Sequence, residues 1–271
     1  MVWPWLPRLG EFFMALLLFY SASMHYKYAG YVATVLQPPW IPWRLFWAYF
    51  TGLGMLAAGV SFVLHRQTRL AAILLTVLFF LYVALIHAPS LIRGILDQPQ
   101  DATNLWASNG TGGINNALKD FALMLSAVFV AATHRREPTS VPWPVKLATG
   151  LFGAVMILYG IEHYIYTDFT PGLPSVSKVS FWIPGRLFWG YFTGGGMLLA
   201  GALILAGKRA AEAALALGIL LLTAALLSYI FRLAAHDYSN GEFINFLKDL
   251  GVAGGAMVLF SVLSQDVGRA N

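Results

Sequence analysis

The chain has 271 residues, of which 58% are hydrophobic and only 11% are Asp, Glu, Lys or Arg, and its formal net charge is +5. A soluble domain carries roughly 25% charged residues, so this chain cannot cover its own surface with polar groups in water, and a soluble globular fold is excluded. It has no cysteine, which removes disulfides, thiolate metal sites and thiol catalysis, and no basic run points to a nucleic-acid partner.

A bilayer core of about 30 Å takes roughly 20 apolar residues per helix. Eight such stretches follow one another, at about 10–28, 45–64, 69–88, 116–133, 147–166, 187–206, 211–231 and 245–264. They are continuous rather than alternating, which predicts helices and not barrel strands. The first lacks a small-residue cleavage site and is read as a helix of the mature chain. Near its end Ser21, Met24, His25 and Tyr28 fall at i, i+3, i+4 and i+7, one stripe. The second follows Pro42, suited to a helix start. It carries Arg44, then Trp47 one turn on, then Gly52, Gly54 and Gly59, small residues for close packing. The third ends at His87, before Pro89, and a long loop with the sequon Asn109-Gly110-Thr111 leads to the fourth. There Asn116, Lys119 and Asp120 share one face.

A Pro-rich join at 136–145 precedes the fifth stretch, where Tyr159, Glu162, His163 and Tyr166 form a stripe like that of the first, with Glu162 where Met24 stood. The sixth carries Pro184, Arg186, Trp189, Gly194, Gly196 and Gly201, and His236 lies beyond the seventh, near Arg232. The eighth opens with Asn245, Lys248 and Asp249.

These coincidences are a duplication. Residues 40–59 (WIPWRLFWAYFTGLGMLAAG) and 182–201 (WIPGRLFWGYFTGGGMLLAG) agree at 16 of 20 positions. His25-Tyr26-Lys27-Tyr28 corresponds to His163-Tyr164-Ile165-Tyr166, and Asn116 to Asp120 corresponds to Asn245 to Asp249. The expected fold is an all-α membrane protein of eight transmembrane helices, built as two four-helix repeats, 1–136 and 137–271. An even number of helices gives both repeats one orientation, related by a pseudo-two-fold axis along the membrane normal. Exposed basic residues cluster on one side, at Arg66 and Arg69, Arg135, Arg136 and Lys146, and Lys208 and Arg209. The positive-inside rule then places both termini in the cytoplasm, and a bacterial inner membrane is the expected setting.

The four-helix unit resembles the DoxX-like membrane proteins. The resemblance rests on a first helix ending in polar and aromatic residues, a Gly-rich second helix after an Arg, and a fourth helix opening N-x-L-K-D before small residues, as in KDLGVAGGA at 248–256. It spans both halves, although the tandem arrangement departs from the usual single unit. It implies a place as a small subunit of a thiosulfate:quinone oxidoreductase or another redox assembly, or as an accessory or assembly factor. It brings no catalytic residue set with it.

The repeated ionisable groups all fall at one end of their helices, and such groups inside a membrane usually face the bundle interior. An outer-side cavity in each half is therefore the expected site. His25, Tyr28, Arg44, Trp47, Lys119 and Asp120 would line it in the first half. Tyr159, Tyr166, Arg186, Trp189, Asn245, Lys248 and Asp249 would line it in the second, around Glu162 and His163 as a catalytic proton donor–acceptor set. The competing reading of the charges is an Arg–Asp or Lys–Asp pair that ties the second and fourth helices together in each half, with Arg44 to Asp120 and Arg186 to Asp249 the pairs expected. No metal is expected, because three or four convergent ligands are needed and each half offers only one or two placed histidines. Phosphate-binding, nucleophile-elbow and dinucleotide motifs are missing from the sequence.

Three functions remain open. A lipophilic, quinone-like molecule suits aromatic walls and Arg, Lys, His and Tyr donors. The chain shows no redox centre of its own, so a soluble or membrane partner subunit would supply one. A non-enzymatic membrane subunit or assembly factor would use the charges for rigidity alone. An acid–base enzyme acting on an isoprenoid or other lipid would use Glu162 as its acid.

Overall fold

The computed structural model describes residues 3–32, 40–97, 113–135, 141–166, 185–234 and 240–270. The sequon at Asn109, Arg136 and the first part of the join, Pro184 and His236 lie outside the described residues. All regular elements within them are helices. The long ones are α1 (Trp5–Lys27), α2 (Arg44–Leu64), α3 (from Thr68–Tyr82), α4 (Ile114–Thr133), α5 (Trp143–Ile165), α6 (Arg186–Leu205), α7 (Ala210–Ala234) and α8 (Asn240–Ala270).

The third element differs from expectation. It does not stop at Pro89 but passes through a π-helical turn, Val83–His87, and continues as Ala88–Asp97. Pro89 has no backbone N–H to give to the preceding turn, and the helix widens just ahead of it.

Among the described residues seven helices are long and apolar enough to cross a membrane, and α1 is not among them. Its apolar run is diluted by Glu11 at one end and by Ser21, Ser23 and His25 at the other. It nevertheless packs along its whole length. Trp3 meets Phe260, Gly10 meets Gly254 and Tyr20 meets Phe243, so α1 runs antiparallel to α8. On its other side Phe19 meets Gly59 and His25 meets Gly52 of α2.

Helix directions alternate. Gly153 faces Gly201 and Gly160 faces Gly194 across antiparallel α5 and α6. The Phe129 and Phe152 rings (5.5 Å) join antiparallel α4 and α5, and those of Tyr229 and Phe246 (4.3 Å) join α7 and α8. By contrast α4 and α8 are parallel: Leu123 meets Gly251 and Ser126 meets Gly255. The chain thus begins and finishes at one end of the bundle, here the terminal end, and the starts of α2, α4, α6 and α8 lie at the opposite end.

α8 is the central helix. In its apolar window 78% of residues are buried, against 22% in that of α3. Its G-V-A-G-G-A run makes this possible. A Cβ on Gly254 would lie 2.6 Å from the Gly10 carbonyl oxygen, and one on Gly251 would lie 2.8 Å from Leu123. Only glycine lets the backbones approach so closely. Gly52, Gly59, Gly194 and Gly201 are likewise contact glycines, Gly196 meets the Leu220 side chain, and Gly54 faces open space. The outward faces are apolar and aromatic: Phe46, Phe50, Leu53, Phe188 and Phe192 are all exposed, as a lipid-facing surface requires.

Positive-φ backbone conformations recur at a fixed spacing. Left-handed conformations are found at Trp43 and Gly185, His65 and Gly207, and Gln67 and Arg209. Each pair is separated by the same 142 residues that separate the two matching segments 40–59 and 182–201.

Candidate functional site

The buried ionisable side chains gather at two levels. At the terminal end, Glu11 is buried, and its two carboxylate oxygens accept from His65 Nδ1 (3.2 Å) and His134 Nε2 (2.7 Å). This ties α1 to the ends of α2 and α4. The larger group lies at the opposite end, where the sequence motifs converge.

Its centre is the parallel pair α4 and α8. Each carries a Lys-Asp step in its first half, and the two steps cross. Lys119 Nζ donates to Asp249 Oδ1 at 3.1 Å and to Asn245 Oδ1 at 3.5 Å. Lys248 Nζ forms an ion pair with Asp120 Oδ1 at 2.7 Å. His87, carried by the π-helical turn of α3, donates from Nε2 to the other oxygen of Asp120 at 2.9 Å. Lys119 is only 1% exposed and Asp120 only 4%, so this is an interior, charge-balanced quartet.

The crossing corrects the expected ties of Arg44 to Asp120 and Arg186 to Asp249. Among the described residues each of these carboxylates pairs with the lysine of the other helix, and Asp120 with His87 as well. The cause is geometric: α4 and α8 face each other at the centre, whereas Arg44 and Arg186 open helices whose outward faces lie at the periphery. Both arginines are half-buried. Trp47 and Trp189, expected to line the site, are 40% and 42% exposed and pack on the outer Phe46/Phe50 and Phe188/Phe192 rings. They belong to the lipid-facing surface.

The two histidine stripes have the same local geometry. His25 Nδ1 donates to the Ser21 carbonyl at 2.8 Å, and His163 Nδ1 donates to the Tyr159 carbonyl at 2.8 Å. Gly52 and Gly194 lie beneath the respective Cβ atoms, which lets α2 and α6 pass close. With Nδ1 protonated, His25 Nε2 accepts from the Tyr82 hydroxyl at 3.2 Å. Tyr28 and Tyr166 are not on the stripes: α1 and α5 end one residue earlier, and both tyrosines are half-buried C-caps whose N–H bonds to the carbonyl of residue 24 or 162.

The second half buries more. Tyr159 and Glu162 are fully buried and His163 is 1% exposed. The Tyr159 hydroxyl donates to the backbone carbonyl of Asn115 on α4 at 3.1 Å, so this acidic and aromatic face of α5 meets the start of α4. Asn115 is itself buried, at 3% exposure. Asn245, Lys248 and Asp249 are half-buried beside them.

Tyr82 and Asn115 carry no motif in the sequence, and nothing there gives His87 a partner. Asn115 lies one turn before Lys119 on the same helical face, which was the available signal. Tyr82 and His87 flank a π turn, and a search at ordinary helical spacing does not align them. Among the described residues no group of three or more His, Asp or Glu is arranged to hold a metal ion. No family model, no curated protein and no solved structure matches this chain.

Proposed function

We propose that this protein binds a lipophilic, quinone-like small molecule near the end of the bundle opposite the termini, as part of a redox-associated membrane assembly. One observation carries the reading. Glu162, His163, Tyr159, Lys119 and Asp120 are all buried, and ionisable groups held inside a helical membrane bundle are costly unless they work. Carbonyl oxygens on an apolar ring suit imidazole, phenol and carboxyl neighbours among apolar side chains. Glu162 with His163 forms the proton donor–acceptor set. The remaining charges orient them.

The same reading takes the chain as a fused pair of DoxX-like four-helix units, 1–136 and 137–271, in one orientation. The parallel α4 and α8 and the left-handed residues 142 positions apart support it. The second half is the working one, since Glu162 and Tyr159 stand where the first half has Met24 and Ser21. Both termini face the cytoplasm of a bacterial cell.

The test is titration of the purified protein with a short-chain ubiquinone analogue. Glu162→Gln keeps shape but cannot transfer a proton, so it should fold and melt as wild type while binding or turnover falls sharply. Met24→Glu should change neither. Normal behaviour of Glu162→Gln would remove Glu162 from the site.

A second reading has its own support. The crossed lysine–aspartate pairs close on each other, as a rigid scaffold subunit needs. In that case the wild type binds no quinone and co-purifies with proteins instead.

A further inference from the structure

Both polar atoms of the Asn115 side chain are buried, and among the described residues neither has a hydrogen-bond partner. An amide can make several hydrogen bonds, and burying one with none is a standing cost to the fold. The cost would vanish if residue 115 were apolar. The sequence shows that this is tolerated: counting back from the N-x-L-K-D motifs, the residue corresponding to Asn115 is Ile244 on α8.

The departure is not isolated. α4 packs on α5, and α8 packs on α1. Asn115 and Tyr159 meet across the first interface, with Glu162 one turn from Tyr159 on the same face of α5, and the corresponding positions of the second are Ile244, Ser21 and Met24. The two interfaces therefore differ as sets, one carrying an amide, a phenol and a carboxyl, the other an aliphatic side chain, a hydroxyl and a thioether. The Tyr159 hydroxyl is within 3.1 Å of the Asn115 backbone carbonyl, so the polar substitutions meet in space. The charges nearby are already committed, with Lys119 on Asp249.

We infer that Asn115 is the specificity residue for the ligand's head group. Its amide takes a neutral group that both offers and accepts hydrogen bonds, a ring carbonyl or hydroxyl, in the α4–α5 interface beside Tyr159 and Glu162. An anionic head would meet a lysine already neutralised and a carboxyl group. The inference rests on the proposed function and adds the interface, the residue and the neutral character of the head.

The experiment compares wild type, Asn115→Ile and Asn115→Ala, each as the full chain in detergent, for melting temperature without ligand and for binding of a short-chain ubiquinone analogue. Asn115→Ile restores the side chain used at residue 244, and Asn115→Ala covers the case in which a β-branched chain overpacks. The expected result is a melting point raised by about 2–4 °C, the shift for about 1 kcal/mol, in at least one variant. Binding should be weakened about tenfold or more in both, the loss of one buried hydrogen bond to the ligand. Wild-type affinity in both variants overturns the inference and leaves the proposed function standing. A melting point lowered in both means that the amide holds the fold together, and this too overturns it. Failure of the wild type to bind removes both readings.

Discussion

The crossing of the two lysine–aspartate steps makes a quantitative prediction. Asp249 lies 3.1 Å from a lysine that is 1% exposed. Asp249→Leu leaves the Lys119 ammonium buried without its counter-charge, which typically costs about 3–5 kcal/mol. For a chain of this size that corresponds to a fall in melting temperature on the order of 10 °C. Lys119→Met strands the carboxylate instead. It should cost less, because Asp249 is 13% exposed and reaches solvent more readily. Lys119→Met with Asp249→Leu removes both charges, and replacing a buried pair with apolar residues is often neutral or stabilising. The double mutant should therefore melt well above the sum of the single effects. Thermal melts in a single detergent measure all three, with Arg186→Ala combined with Asp249→Leu as the reference cycle. Strict additivity for Lys119 with Asp249, or equal coupling for Arg186 with Asp249, would refute the crossed arrangement.

Other consequences follow from the same geometry. Gly254→Val places side-chain atoms on the Gly10 backbone and should cost at least the 1–3 kcal/mol usual for overpacking, measured as a lower melting temperature, whereas Gly54→Ala, which faces open space, should be close to neutral. Trp43 is 79% exposed and left-handed (φ 52°), and Gly185 holds the same place before α6 (φ 67°). Trp43→Gly should thus stabilise by about 1 kcal/mol and Gly185→Ala destabilise by a similar amount, and opposite signs of the two melting shifts are the check. Single cysteines replacing Lys208 at the terminal end and Trp40 at the opposite end, both exposed, give the topology in a chain with no native cysteine. An impermeant thiol reagent on intact cells should label the second and not the first.

The helices were legible because bilayer thickness writes itself directly into apolar run length. α1 escaped the apolar criterion for a readable reason: packed against α2 and α8, it can carry Glu11 and a polar end. The repeat motifs told which residues share a face, as with Lys119 and Asp120, but not which helix that face meets. Partner choice depended on α4 and α8 being parallel neighbours at the centre, a tertiary fact that set each lysine on the aspartate of the other helix and left Arg44 and Arg186 elsewhere. Trp47 and Trp189 misled because a one-turn offset from an arginine fixes a face only loosely, and theirs points outward. His87 gained its place on Asp120 from a π turn, to which a search at 3.6-residue spacing is blind. Asn115 was hidden by its neighbour Asn116, which belongs to the repeated motif, while the buried amide belongs to the exception.

The central claim is that the buried group around Glu162 and His163 holds a neutral lipophilic ligand. Mass spectrometry of the organic extract from wild-type protein purified in native-like membrane discs, set beside the Glu162→Gln protein, tests it most directly. The expected result is a quinone or similar ring-bearing isoprenoid at near-stoichiometric level in the wild type and its depletion in Glu162→Gln at equal phospholipid content. Phospholipid alone in both samples, with other proteins stably attached, would contradict it.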